Sequence, residues 1–297
     1  MKLRNGKTIN ECIIGYKLCR DNHLVILEIP PEAKHNMDRS FIVNKQFAKH
    51  RCSEALVKEI INLSNNQSVS EAFSMNALNF KYTVGQKILP DGFDPNVELV
   101  CSSGIHYFLD RKRAEMYTNF PGNFPKDGEF AQWKDNGTLS VQLMFKNGRK
   151  HGECKWYYEN GQLKKYRIYV NGKEEGQAIA WYKNGQMREK CLFVDGKMHG
   201  ELITWYENGQ KQTQVLYNNG ELEGKYEIWY DSGQMSSRAY YKQFNLEGEY
   251  ITWYINGQMR EKCLFVDGKM HGEYMSWHID GRLIQKLNYE LGVPQNY

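Results

Sequence analysis

GQAIAWYKNGQMREKCLFVDGKMHG, residues 176–200, is the stretch on which the fold turns. Glycines open and close it, 24 residues apart, and Asn184-Gly185 and Asp195-Gly196 punctuate runs rich in aromatic and aliphatic residues. Working outward in both directions, the opening glycine recurs at 128, 152, 176, 200, 224, 248 and 272. A second glycine follows nine residues later, from Gly137 to Gly281, with an aromatic four before it: Trp133, Tyr157, Trp181, Trp205, Trp229, Trp253 and Trp277. Another aromatic ring closes each copy, at Phe145, Tyr169, Phe193, Tyr217, Tyr241, Phe265 and Tyr289. Recurrence at a fixed period is the signature of a repeat architecture. Residues 184–201 also recur unchanged at 256–273, three periods on, as duplication of a three-repeat block would leave them.

The turns say what each copy does. Asn-Gly or Asp-Gly at both ends of a strand favours two-residue type I′ loops, since both residues tolerate positive φ. The pattern therefore predicts a mainly β chain: an elongated antiparallel meander of seven 24-residue hairpins. With Asn184-Gly185 as the loop, Tyr182 opposes Met187, Ala178 opposes Cys191 and Gly176 opposes Phe193, which meets Met198 across the next turn. Side chains alternate along a strand, so these residues share one apolar face. The reverse face then pairs Trp181 with Arg188, Ile179 with Lys190, Trp253 with Arg260 and Ile251 with Lys262, a tryptophan ladder edged by cations. A lone hairpin is marginal in water, whereas stacked hairpins pair and cover one another. Fourteen strands would form a twisted sheet roughly 65 Å long. Lys134 and His278 replace the inner tyrosine in the first and last copies, as polar caps, and Phe244 replaces glycine in the second turn of the fifth, marking a bend or a contact.

The pattern GxxxxWYxNGQxxxxxxYxNGKxxG over residues 128–292 resembles the MORN-repeat family, in the variant common in bacteria and large DNA viruses. That resemblance implies an extended β-sheet used for protein contacts and sometimes for membrane-lipid attachment; the family also has antitoxin-like members. Upstream, KYTVGQKILPDGFDP…ELVCSSGIHYFLDRKRAE is similar to an uncharacterised domain of amoeba-infecting giant viruses, over about residues 12–118. The similarity suggests a viral origin and carries over no catalytic residue.

Residues 1–122 escape the period and read as a small α+β domain, with the array over 123–297 and a boundary near 119–125. Residues 12–19 and 23–29 read as strands, 53–63 as a helix with Leu56, Ile60 and Leu63 on one side, 97–108 as a strand and turn, and 110–117 as a short helix.

Bulk properties narrow the function. The net charge is +4, from 39 basic and 35 acidic residues, and the signs are interspersed, which argues against nucleic acid and against a clustered lipid-binding patch. The densest basic stretch, 146–167, is broken by Glu153 and Glu159. The amino terminus lacks a signal-peptide run and no segment is apolar enough to span a bilayer, which predicts a cytoplasmic protein, in the host cytoplasm or virion if viral. Seven cysteines, with no CxxC among them, fit buried free thiols in a reducing compartment.

Chemical candidates are few. Cys101 and His106 are a close Cys/His pair in a glycine-containing turn, but no third orienting group accompanies them. His151, His199 and His271 precede repeat glycines two or three periods apart, too far to share an ion, and Glu175, Glu223 and Glu247 fill that position elsewhere. No catalytic, metal or cofactor-binding residue is therefore assigned, and no cofactor is expected. The sequence reads as a non-catalytic scaffold for protein–protein interaction, serving viral assembly or host-factor capture. Its expected surface is Trp181, Trp205, Trp229, Trp253, Arg188, Arg260 and Phe244. The expected partner is a protein, with a homodimer among the options. The alternatives are attachment to anionic lipid, an antitoxin-like binding protein, and an enzyme in the amino-terminal domain.

Overall fold

The computed structural model describes residues 11–77, 79–117 and 124–295. They form two compact units, residues 1–125 with 129–142, and residues 126–128 with 143–297. Most of the expected boundary at 119–125 lies outside the described residues.

The amino-terminal unit is built on β1 (Ile13–Leu18) and β2 (His23–Ile29), as their alternating apolar residues predict. Asp21 (φ 55°) and Asn22 (φ 58°) reverse the chain between them. Next come β3 (Lys49–Cys52), β4 (Ala55–Asn62), β5 (Gln67–Ser68), β6 (Glu71–Phe73), β7 (Lys81–Thr83), β8 (Lys87–Ile88) and β9 (Ile105–Phe108). One sheet runs β3–β9–β1–β2–β4–β5 with β8 also on β4, while β6 and β7 pair separately. The expected helix at 53–63 is wrong: β4 occupies that segment and pairs with β2. Its apolar residues fit both periods over so short a run, and a register shift opposite Ile26/Leu27 lets Val57 and Ile60 both reach the core while Leu56 stays exposed. The strand expected within 97–108 is confined to β9, and residues 97–104 form bends and turns. The short helix is present as α1 (Arg111–Glu115), capped by Asp110, whose carboxylate accepts from Arg113 N at 2.7 Å. Val25, Leu27, Ile29, Val57, Ile60, Tyr82 and Tyr107 centre the core.

The hairpin that the spacing places first in the array packs inside this unit. Trp133 stacks on Phe47, with ring centroids 5.3 Å apart and planes 7° apart. Backbone amides of Val43 and Asn44 donate to Asn136 O, and that of Lys49 donates to Asp135 O. Gly137 (φ +86°) sits so close to Asn44 that a Cβ would lie 2.0 Å from its carbonyl oxygen. Here glycine serves both the turn and the close approach.

In the second unit the strands follow one another in chain order and pair antiparallel, from Arg149–Lys150 to Val293–Gln295. The two turns of a repeat differ. At 147–148, 171–172, 195–196, 219–220 and 267–268 both residues have positive φ, as a type I′ loop requires. At Asn184-Gly185 only the glycine does (φ +90°): Gly185 N donates to Tyr182 O and Tyr182 N to Gln186 O, closing a three-residue loop. The Asn184 side chain instead accepts from Gln186 N at 3.0 Å. The extra loop residue is absorbed by a bulge, so the expected register holds away from the turn and fails beside it. Ala178–Cys191, Gly176–Phe193, Ile179–Lys190 and Phe193–Met198 are paired as expected, but Trp181 opposes Met187, not Arg188, and Trp253 opposes Met259, not Arg260.

Candidate functional site

Three bonding ladders hold neighbouring repeats of the array together. The hydroxyls of Tyr158, Tyr182, Tyr206, Tyr230 and Tyr254 donate to the carbonyls of Trp181, Trp205, Trp229, Trp253 and Trp277, one repeat on, at 2.6 to 3.0 Å. Asn184 and Asn208 Nδ2 reach Glu207 O and Asp231 O of the following turn. A third ladder uses the His or Glu before the repeat glycine at five positions, whereas His271 Nδ1 makes no such bond. His151 and His199 Nδ1 accept from the amides of Asn171 and Asn219, while Glu175, Glu223 and Glu247 accept from Asp195, Gln243 and Asp267. The position caps the next turn, so any short-reaching acceptor suffices. At the equivalent position of the seventh copy stands His278, whose Nδ1 lies 3.3 Å from Asp280 Oδ1.

The expected interaction residues fall on two kinds of site. Trp181, Trp205, Trp229 and Trp253 are half-buried. Lys211 lies 4.9 Å from the Trp229 ring and Arg238 5.9 Å from that of Trp253, so cations do flank this row, though from the preceding repeat. Arg260 instead faces the Tyr254 ring at 5.8 Å, displaced from Trp253 by the bulge; Arg188 occupies the equivalent position. Phe244 keeps the turn it interrupts: Gln243 (φ 49°) and Phe244 (φ 65°) take the left-handed conformation that glycine would adopt freely. Its amide bond to Leu222 O is long, 3.4 Å against 2.8 Å at Gly172 and Gly220, and its ring is 56% exposed.

Sequence reasoning missed a row on the same face. Met144, Leu192, Leu216, Tyr240 and Leu264, at one position of successive second strands, are all exposed large apolar residues, with half-buried Ile168 in line. Each is the neighbour of an inward residue such as Cys191, Val215 or Ala239, so period-two alternation puts it outward. The signal was present as hydrophobic recurrence every 24 residues, but the row was overshadowed by the tryptophans. Between the rows some charges pair: Glu249 with Lys262 at 2.9 Å, and Lys286 with Glu273 at 2.7 Å.

The inward face is apolar at the hairpin centres and polar beside the three-residue loops, where Glu189 opposes buried Ala180; in the second copy part of the basic stretch 146–167 also turns in. Arg167 replaces the Cys191-type residue and is buried, with its guanidinium 2.7 Å from Glu189 and 3.7 Å from Glu174. Tyr169 donates to Glu174 at 2.9 Å, and Lys150 and Lys165 lie over the Trp156 ring. The Arg167 guanidinium thus lies between two carboxylates, although its Nε makes no hydrogen bond.

The amino-terminal unit contains a cavity of about 450 Å³, within the usual range for small-ligand sites. Cys101 and His106 both line it, yet they do not form a nucleophile–base pair. His106 donates from Nε2 to Val100 O at 2.9 Å, and burial lowers its pKa to about 4, so the ring is neutral. Cys101 Sγ lies 3.6 Å from Lys49 Nζ and 3.8 Å from Asp135 Oδ2. The remaining wall is set by Arg51, which is fully buried and donates to the carbonyls of Asp94, Asn96, Leu99 and Ser103. No group of metal-ligating side chains occurs among the described residues.

Comparison with known proteins agrees with this division. A family model described as a MORN repeat variant matches 150–171, 174–195, 198–219, 222–243 and 246–267. Another, described as a family of unknown function (DUF5758), matches residues 4–114. An uncharacterized protein, L223, of Acanthamoeba polyphaga mimivirus is 35% identical over 97 residues, which is 32% of this chain and 61% of the relative. The chain thus spans less than two thirds of that relative's length. With the hairpin geometry, these matches identify the chain as a DUF5758 domain followed by an array of MORN-variant repeats.

Proposed function

We propose that the repeat array is a protein-binding scaffold that works through its outer sheet face. The observation that carries this reading is the exposed row of Leu192, Leu216, Tyr240 and Leu264 beside the half-buried tryptophans. Neighbouring members sit two strands apart, about 9–10 Å, a spacing suited to an extended apolar edge of a partner. Phe244, held at a backbone strain that glycine would relieve, supports a contact role for that turn. The paired charges between the rows favour a protein over an anionic bilayer, which rewards unpaired Lys and Arg. The mimivirus relative supports a setting in the infected amoeba's cytoplasm or in the virion, with an assembly or host factor as the partner. No catalytic step is assigned to the array.

The test is affinity capture from infected amoebae with the wild-type chain and with a variant carrying Leu192→Ser, Leu216→Ser, Tyr240→Ser and Leu264→Ser. The variant should keep its β-sheet circular dichroism and lose the proteins that the wild type recovers. Recovery of the same proteins by both would refute the surface. Sedimentation of both chains alone separates a second copy from a foreign partner: only in the first case does the wild type dimerise and the variant not.

A further inference from the structure

The cavity in the amino-terminal unit is lined by two lysines, Lys17 and Lys49, that make no salt bridge among the described residues. β1 and β9 pair at one position only, Tyr16 with Phe108, and beside it Lys17 Nζ donates to His106 O at 3.3 Å under the Tyr82 ring. Lys49, on β3 at the far side of β9, is 92% buried by its 8% exposure, and its Nζ meets only the Cys101 sulfur and the Tyr117 hydroxyl, at 3.6 and 3.4 Å. Neither lysine has a carboxylate within 4.0 Å among the described residues, and the undescribed stretches contain neither Asp nor Glu. A desolvated cation is costly unless it is paired. Burial lowers the Lys17 pKa and Lys49 lowers it further, so the two charges sense each other. For Lys49 burial works the same way but is outweighed by Tyr117, Asp135 and Cys101, which keep it charged.

We propose that this cavity binds a small aromatic phosphate monoester, its phosphate between Lys17 and Lys49 and its ring among Phe80, Tyr82, Phe108 and Tyr117. Two lysines on one cavity with no carboxylate within 4.0 Å of either suit a dianion, and a phosphate monoester carries about −1.5 to −2 charge near pH 7 where a carboxylate carries one. The four rings lining the same cavity supply flat apolar walls for the organic part. The volume of about 450 Å³ accommodates a molecule of that size. Because Arg51 pins the loop 94–103 by its carbonyls, the wall that carries Ser102 and Ser103 is preformed.

Titration of the full chain with phenyl phosphate, followed by calorimetry and by the thermal midpoint, tests the site. Saturable binding at millimolar affinity or better is expected, with benzoate and phenol each weaker by about tenfold or more. Lys49→Met should weaken phenyl phosphate by about tenfold or more, while an unchanged circular dichroism spectrum shows that the variant still folds. Lys17→Met gives the same loss of affinity, whatever its effect on the midpoint. Absence of saturable binding, equal affinity for benzoate or phenol, or unchanged affinity in Lys49→Met would each overturn the assignment.

Discussion

The two units of this chain satisfy buried backbone in opposite ways. In the array, strand pairing absorbs most amides and carbonyls, and the few left over at hairpin ends are met by a repeated tyrosine hydroxyl, asparagine amide or His/Glu acceptor. Its hairpin centres bury small neutral residues, Ala178, Cys191, Val215, Ala239 and Cys263. In the amino-terminal unit, long stretches between strands leave carbonyls without ladder partners, and buried arginines reach out to them. Arg51 serves four carbonyls, Arg39 those of Asn36, Lys49 and Asp135, and Arg113 those of Phe47 and Trp133. A guanidinium has five donors, so one side chain can organise a whole loop. The difference teaches where binding chemistry can arise. A periodic unit repeats one solution and presents a regular surface, whereas an aperiodic one must gather charged groups inside and can leave some facing a cavity.

The largest effect is expected from Arg51→Met. Four carbonyls lose their donor together, and the amino-terminal unit should lose about 3–5 kcal/mol of stability. Amide hydrogen exchange, read separately for the two units, should show faster exchange in β3, β9 and residues 94–103 and no change in the repeats from 152 onward. Equal loosening of both units would show that the arginine does not work locally.

A smaller effect comes from acid. Burial lowers the pKa of both His50 and His106 to about 4, and each is committed as a neutral ring, His50 between Lys45 O and the Arg39 guanidinium. Between about pH 6.5 and pH 4 the unfolded chain therefore binds protons that the folded unit refuses, so stability is full above that window and falls as pH is lowered through it. From about pH 6 to pH 5 the loss should approach 1.4 kcal/mol for each histidine, less for His106, which is not fully enclosed. In the array, carboxylates held low by partners, such as Glu153 and Glu249 beside lysines, contribute stability that is full above the unfolded carboxylate range and lost as pH falls through and below it, so protection of its amides should stay constant from about pH 6.5 to pH 5.5, where the amino-terminal unit already weakens.

The smallest effect probes the ladder. Tyr206→Phe removes the hydroxyl that meets Trp229 O at 2.8 Å and should cost about 1 kcal/mol in chemical denaturation of the array. His278→Tyr, which restores the ring in the seventh copy, where the described residues offer its hydroxyl no carbonyl one repeat on, should cost or gain about a few tenths of a kcal/mol at most. If the two substitutions behaved alike, the hydroxyls would not be what joins repeat to repeat.

How much could be read beforehand follows the same division. The period, the hairpins, the apolar inner face and the register of Ala178 with Cys191 were legible, because each rests on residues within one repeat length and is restated seven times. The one-residue bulge beside Asn184-Gly185 was not, since Asn-Gly suits both a two-residue loop and a three-residue loop with a single left-handed glycine. That ambiguity displaced Arg188 and Arg260 from their expected tryptophans. The segment 53–63 failed for a related reason: its pattern fits helix and strand, and only β2 beside it decides.

By itself the amino-acid sequence determined the repeat unit, its turns and which side chains alternate, because these depend on local conformational preference and on identical neighbours. Tertiary packing alone decided that the first hairpin seats against Phe47 and residues 43–49, and that Lys17 and Lys49, with 31 positions between them, line one cavity. Contacts between unlike segments far apart in the chain have no period to announce them, and they exist only once the sheet has brought β1, β9 and β3 side by side.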